Sequence, residues 1–318
     1  LLHLAARLAN GVATLFAVAI LVFVAMQMVP GGYADIYLGP QGTLEDIQAL
    51  EAKFGLDQPL YVQLGKWLAN IATGNFGISL QTGRPVSEVL VERLPVTIEL
   101  SLLAMLIAMI VALPIGLFLG LSGSNRVAQD GLRVGSALSV SIPDFVSASV
   151  VVYILSLLGS DWLSIGRHYD LFRDPLLNLK TYFFPALTLS LFAIAILVRT
   201  LRDSVQTVLA EPYIAAALLR GEGRWQIVRR HVLRNSLIPA LAVASVSFGS
   251  MFGGAVIIET IYGLPGLGQS LVTSIEGRDY ALVQAIVFVG AAAFIVVSIV
   301  ADLLYAVIDP RLRSAAAS

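Results

Sequence analysis

Four carboxylates stand within or at the edge of long apolar runs: Glu99, Asp144, Glu259 and Asp302. An ionisable side chain at membrane depth is costly, so each is first a candidate for a functional role. The plainer account is that they lie near helix ends, cap helices or pair with arginines. Asp144 follows Pro143, which is expected to kink the third apolar run and could turn the acid toward a path through the membrane. Glu259 and Asp302 could instead face helix partners. The remaining reactive inventory is thin. His3, His168 and His231 lie far apart with no ligand spacing, and the chain has no cysteine. No His-Glu-x-x-His and no Gly-x-x-x-x-Gly-Lys-Ser/Thr occurs, so metal hydrolysis and nucleotide binding find no site here.

Cations are the second chemical signal. Residues 199–234 hold seven arginines (Arg199, Arg202, Arg220, Arg224, Arg229, Arg230, Arg234) against three acids (Asp203, Glu211, Glu222). Pro212 suits the first position of a helix and Glu211 the cap, where its charge meets the positive end of the helix dipole. Ile214, Ala217, Gly221, Trp225 and Val228 recur at steps of three and four, which predicts one shared helical face. Gly221-Glu222-Gly223 predicts a bend, because glycine adopts the left-handed conformation that ends helices. The segment reads as helix, turn, helix, with small residues at the tip that let a partner approach closely.

The elements that hold these residues are membrane helices. The chain is 57% hydrophobic and 13% charged, which excludes an ordinary soluble domain. Six apolar runs, at 8–29, 97–121, 134–158, 183–201, 236–261 and 281–307, are long enough to cross a bilayer, which takes about 20 helical residues. The first is read as a retained anchor, since no small-residue cleavage pattern follows it. The chain begins at Leu1 instead of methionine, which leaves room for native residues before it. Orientation follows from the basic residues outside the runs. With the N-terminus inside, twelve Lys and Arg fall on the cytoplasmic side against eight outside, with five acids inside and twelve outside. Both termini and the 202–233 loop are thereby expected in the cytoplasm.

Between the first two runs, 31–95 reads as a compact external subdomain of short helices. Thr43 is expected to cap a helix through Phe54, and Tyr61 to Leu68 a second one. Gly74-Asn75-Phe76-Gly77 and Thr82-Gly83-Arg84-Pro85 are turn clusters. In the fifth run Gly249-x-x-x-Gly253 permits close helix packing, either within this chain or along a seam with a second subunit. The run Gly263-Leu264-Pro265-Gly266-Leu267-Gly268 is too glycine-rich for a helix and is expected to form a turn just outside the membrane.

The 211–239 stretch resembles the cytoplasmic loop of importer-type ABC permeases, which carries a Glu-Ala-Ala…Gly signature. Glu211 is its acidic start, and Ala217 and Gly221 its Ala-x-x-x-Gly core. His231-x-Leu233-Arg234-Asn235 is similar to the dipeptide/oligopeptide/nickel branch of that family. Further landmarks lie in order: Gly55-Leu56-Asp57-x-Pro59, Arg93-Leu94-Pro95-x-Thr97-Ile98-Glu99-Leu100, Ser141-Ile142-Pro143-x-Phe145, Glu259 to Gly268, and Asp302-Leu303-Leu304-Tyr305…Asp309-Pro310-Arg311-Leu312-Arg313. Gly32-Tyr33 departs from the Asp-Pro that commonly follows Pro30-Gly31, and Asn75 from an Asp after Gly74.

The resemblance implies an all-α polytopic membrane protein of six transmembrane helices, an importer-type ABC transmembrane domain with an external helical insert between helices 1 and 2. Residues 1–30 would be the first helix, 31–95 the external subdomain, and 96–318 the core permease domain with five helices and the 211–231 coupling segment. It implies a pore-forming permease subunit of a peptide importer in the inner membrane of a prokaryote, of the type that is generally the first of two unlike permeases. The partners it implies are a second homologous permease, ATP-binding subunits on the cytoplasmic face, an external substrate-binding protein and membrane lipid, with no nucleic acid. ATP and Mg would sit in the partner ATPases, with no cofactor on this chain and no enzymatic activity of its own. Glu211, Ala216, Ala217, Arg220, Gly221 and Arg224 would carry ATPase docking. His231, Arg234 and Asn235 are family-motif positions; Asp144, Gly253, Glu259, Pro265 and Gly266 are pore or gate candidates. Relatives of this type handle dipeptides, longer peptides, glutathione-like compounds and chelated nickel, and no residue here decides among them.

Three other classes fit less well. A secondary carrier predicts inverted repeats with helices broken at mid-membrane, and no convincing repeat is present. An intramembrane enzyme needs a nucleophile and base, or metal ligands, on facing spans. A membrane scaffold leaves the 211–239 pattern unexplained.

Overall fold

The computed structural model describes residues 2–29, 43–54, 57–123, 130–131, 134–135, 141–159, 162 and 166–308. The Gly32-Tyr33 departure, the Asp302 side chain and the Asp309–Arg313 motif lie outside what is described. Among the described residues the structure is helical, with one isolated antiparallel bridge, Ile78 to Pro85. Two compact units form: Leu1–Val96 with Gly266–Ile295, and Thr97–Pro265 with Val296–Ser318.

In the first unit, α1 (Leu2–Gln27) is mostly apolar after Asn10 and α2 (Leu44–Phe54) is short and polar. Thr43 caps α2 as its sequence predicts. Its hydroxyl lies 2.6 Å from Asp46, whose backbone N–H returns a bond of 3.2 Å, a reciprocal box that satisfies donors the helix start leaves free. The hydroxyl of Thr43 also keeps the Asp46 carboxyl below the ordinary aspartate range. Helix α3 (Leu60–Ala72) sets Trp67 between Phe23 of α1 and Phe288. Gly74, Gly77 and Gly83 all take positive φ in the turns that follow.

Those turns are fastened at Asp279. Its fully buried carboxylate accepts the Ser79 hydroxyl at 2.5 Å and the Gln81 N–H at 3.2 Å. It also accepts the Leu282 N–H at 3.1 Å, capping α11 (Tyr280–Ile308). The Gln81 amide donates to the Thr273 carbonyl of α10 (Leu267–Glu276) at 3.1 Å. A Cβ at Gly277 would collide with that same Gln81 side chain. Asp279→Ala leaves buried donors unmatched and removes a cap, an expected loss of about 2 kcal/mol or more. Asp279→Asn, which keeps an acceptor, loses less. Thermal unfolding of the purified chain in detergent checks this, and equal midpoints for the two variants would refute it.

In the second unit α6 (Pro175–Leu209) is the central helix. Its apolar window is 61% buried, against 22–33% for the other long apolar helices. Helix α4 (Val86–Leu121) carries Leu100, Ala104, Ala108 and Ala112 fully or almost fully buried, and Gly116 and Gly120 continue the same four-residue step. The last two rest on α6: a Cβ at Gly120 would fall 2.6 Å from the Val205 side chain, and one at Gly116 2.9 Å from that of Leu201. Small side chains are what permit this approach.

Among the described residues five helices are long and apolar enough to cross a membrane. The sixth expected run yields α5 (Asp144–Leu157), which at 14 residues is short of a full crossing; residues 136–140 before it lie outside those described. At Pro143 the third run is broken, with Ser141 helical before it and α5 beginning after it. Pro143 occupies the position before the helix with extended φ −60 and ψ 145, so it starts α5 instead of bending it. Proline suits such a boundary because its ring does not clash with a preceding helical turn there. The glycine-rich 263–268 run is also only half a turn. Gly263 is left-handed at φ 65, but Leu267 and Gly268 already belong to α10.

Candidate functional site

The segment that follows α6 forms a closed hairpin. Ala210 ends α6, Glu211 is extended, and Pro212 opens α7 (Pro212–Leu219) as its first residue. Glu211 occupies the cap position, yet its side chain makes no capping bond. At the far end Gly221 takes φ +81, its N–H bonding the Leu218 carbonyl at 2.9 Å, while the Glu222 N–H bonds the Ala217 carbonyl at 3.2 Å. This paired closure needs a left-handed residue, which glycine supplies without a Cβ penalty. Gly223 then starts α8 (Arg224–Ile227), a π-helical turn follows at Val228–Val232, and α9 (Leu233–Tyr262) continues the same rod.

Apolar packing fixes the hairpin from beneath. Ile214, Ala217, Ile227 and Val232 are buried with Leu201, Val205 and Val208 of α6 and Ala240 of α9. The single face expected for Ile214, Ala217, Gly221, Trp225 and Val228 is therefore corrected. α7 ends at Leu219, the chain turns at Gly221, and Trp225 is 74% exposed. The residues that α7 presents outward are Pro212, Tyr213, Ala215, Ala216, Leu218 and Leu219, with Leu219 90% exposed. Ala217 is wholly buried and supports the helix without offering surface.

Polar contacts lock the tip to the π-helical turn. Glu222 pairs with Arg220 at 2.8 Å and its second oxygen lies 2.9 Å from Nε2 of His231. Asn235 donates to the His231 carbonyl at 2.8 Å and to the Tyr213 hydroxyl at 3.3 Å, and the Tyr213 and His231 rings lie 6.2 Å apart. The structure thus brings Arg220, Glu222, His231 and Asn235 together, with Arg224 and Arg234 exposed beside them. Sequence reasoning did not place Glu222 or Tyr213. The pairs span nine and 22 positions across a turn, beyond any helical period.

Bonds from Arg220, then from His231, hold the Glu222 carboxylate below the ordinary glutamate range. A depressed carboxylate adds stability above its unfolded-state value and loses it as pH falls through the folded value. The lock is therefore closed at neutral pH and opens only in acid. Glu222→Gln is expected to speed amide exchange across 212–223 at neutral pH and to change little in acid. Hydrogen exchange read by mass spectrometry tests this, and equal protection at neutral pH would refute it.

The pore and gate candidates separate. Glu259 is fully buried and accepts the Thr97 hydroxyl at 2.6 Å, so it joins α9 to α4. Asp144 is half-buried against α9, where a Cβ on Gly254 would come 3.7 Å from its carboxylate. Gly253 is exposed with open space over its Cα, so the close-packing reading of Gly249-x-x-x-Gly253 does not hold within this chain. Pro265 is partly buried and Gly266 buried. Glu99 accepts the Asn178 amide at 2.5 Å, and that amide also reaches the Tyr169 carbonyl at 2.7 Å. Among the described residues no group of His, Cys, Asp and Glu could hold a metal ion.

The basic hairpin thus stands between two long apolar helices, α6 and the rod that ends at Tyr262. Residues 112–314 match the family described as binding-protein-dependent transport system inner membrane component, and residues 1–101 match its N-terminal membrane component. The chain belongs to this family of multi-pass inner-membrane permeases. It is 31% identical over 307 residues to the probable peptide ABC transporter permease protein y4tP of Sinorhizobium fredii, covering 96% of this chain and 97% of that one. It is 34% identical over 308 residues to a putative peptide transport system permease of Brucella abortus, with the same coverage. It is 33% identical over 310 residues to the glutathione transport system permease GsiC of Escherichia coli K12, again at 96% and 97% coverage. A chain of the inward-facing MetNI methionine ABC transporter shares the fold at a TM-score of 0.55 and 16% identity, over 70% of this chain and 96% of that one.

Proposed function

We propose that this chain is one of two unlike pore-forming permeases of an ATP-driven importer for peptides or peptide-like compounds such as glutathione. A second permease completes the pore, an external binding protein delivers cargo, and two ATPase subunits hold the ATP and Mg. The orientation is that of the basic bias, with both termini and the 202–233 loop in the cytoplasm. Within it, 1–30 anchors the chain, 31–95 faces outward, and 96–318 forms the core.

One observation carries the docking reading. An eight-residue helix is closed at both ends, rooted by Ile214 and Ala217, and turns Leu218 and Leu219 outward. Exposed leucines on a fixed helix are what a partner groove buries. ATP-driven closure of the ATPase pair moves α7, and the rod that begins at Arg224 passes the motion into the membrane. The two nucleotide states thus contact this chain differently, which coupling between distant sites requires.

The test is hydrolysis by the reconstituted complex, comparing wild type with Gly221→Trp. A side chain at φ +81 strains the closure of α7. ATPase subunits should be lost on purification, or stimulation by the binding protein should disappear. Unchanged assembly and stimulation would return the loop to a topological anchor.

A further inference from the structure

One feature of the basic segment has no part in docking through α7. Trp225, Gln226, Arg229, Arg230 and Arg234 line an open groove of about 540 Å³. We propose that this groove binds the phosphate headgroup of an anionic phospholipid at the membrane surface.

Charge is the first reason. Arg202 lies against Asp203, Arg220 against Glu222, and Arg84 against Glu88 and Glu92. The side chains of Arg229, Arg230 and Arg234 have no ion pair or hydrogen bond among the described residues. Three unneutralised guanidinium groups around one hollow attract an anion, and their planar forks match phosphate oxygens two at a time.

Position is the second reason. Arg234 lies in the first turn of α9, whose residues continue as an apolar span to Tyr262. The groove thus sits where that helix passes from polar to apolar surroundings, the depth of lipid phosphates. Trp225, 74% exposed, adds the indole that settles at headgroup level. The exposed leucines that a protein groove would bury, Leu218 and Leu219, lie on a different helix.

The π-helical turn makes the groove possible. Val228–Val232 keeps Ile227 and Val232 in the core while Arg229 and Arg230 stay exposed. Such turns insert an extra residue into a helix and recur at functional positions. The proposal requires only that α9 spans the membrane, so it stands or falls apart from ATPase docking.

The experiment places the intact complex in phosphatidylcholine nanodiscs doped with phosphatidylglycerol and counts retained lipids by native mass spectrometry. Wild type should retain phosphatidylglycerol preferentially, and Arg229→Gln/Arg230→Gln should reduce that preference roughly tenfold or more. Arg229→Lys/Arg230→Lys, which keeps charge without the fork, should fall between them and covers the case of a misfolded glutamine variant. Arg84→Gln should change nothing. No preference in wild type, or an unchanged preference in the double glutamine variant, would overturn the proposal. So would displacement of the lipid by inorganic phosphate alone, which would assign the groove to a free anion. Loss of the ATPase subunits with lipid retention intact would assign the arginines to protein docking.

Discussion

Leu218→Asp/Leu219→Asp is expected to abolish stimulation of ATP hydrolysis by the binding protein while leaving the permease folded. Both side chains are exposed, at 54% and 90%, so the fold of this chain loses no packing when they change. A docked partner loses two buried leucines and gains two charges. Burying one such side chain is worth about 1.5–3 kcal/mol, so losing both weakens docking by roughly a hundredfold or more. The contrast is Ala217→Asp, which puts a charge into the buried cluster with Leu201, Val205 and Val232 and should unfold the hairpin itself. Co-purification of the ATPase subunits and stimulated hydrolysis are the two readouts. Normal values of both in the double aspartate variant would remove α7 from the docking surface.

The second large effect is steric. Gly116→Val and Gly120→Val should each destabilise the second unit by about 1–3 kcal/mol, the usual range for overfilling a packed contact. Even a single Cβ at Gly120 lies 2.6 Å from the Val205 side chain, and Val205 is itself fully buried. Gly253→Val should be tolerated by the purified chain, because nothing lies within 4 Å of the added carbon. Thermal unfolding in detergent compares the three. If Gly120→Val proves as harmless as Gly253→Val, the packing of α4 on α6 described above is wrong.

This contrast shows where the sequence was legible. Apolar runs predicted the helices because a bilayer demands about 20 apolar residues whatever their neighbours are. Thr43, Pro212 and Gly221 predicted helix ends because caps and left-handed turns are decided within a few residues of backbone. Helix packing is decided elsewhere. Gly249-x-x-x-Gly253 and the Ala104-to-Gly120 series look alike as spacing, and only the position of α6 tells which seam is filled. The bond from Thr97 to Glu259 likewise spans 162 positions, which no local spacing could reveal. Exposure of Leu218 and Leu219 could not be read from periodicity either, since the closure at Gly221 cuts the helical face short.

The continuity of α8, the π-helical turn and α9 gives this chain a lever. From Arg224 to Tyr262 the rod has 39 residues, so it spans about 58 Å at 1.5 Å per residue. A tilt of about 5° at one end of such a rod moves the other by roughly 5 Å, enough to pull packed surfaces apart. Its compliant points are both near the hairpin: the loosely wound 228–232 turn, and Pro239, which lacks the N–H for one helical bond. Beyond Pro239 the arm is uninterrupted until the left-handed Gly263. A displacement applied at the hairpin would therefore meet two compliant points before it reached the far end of the rod.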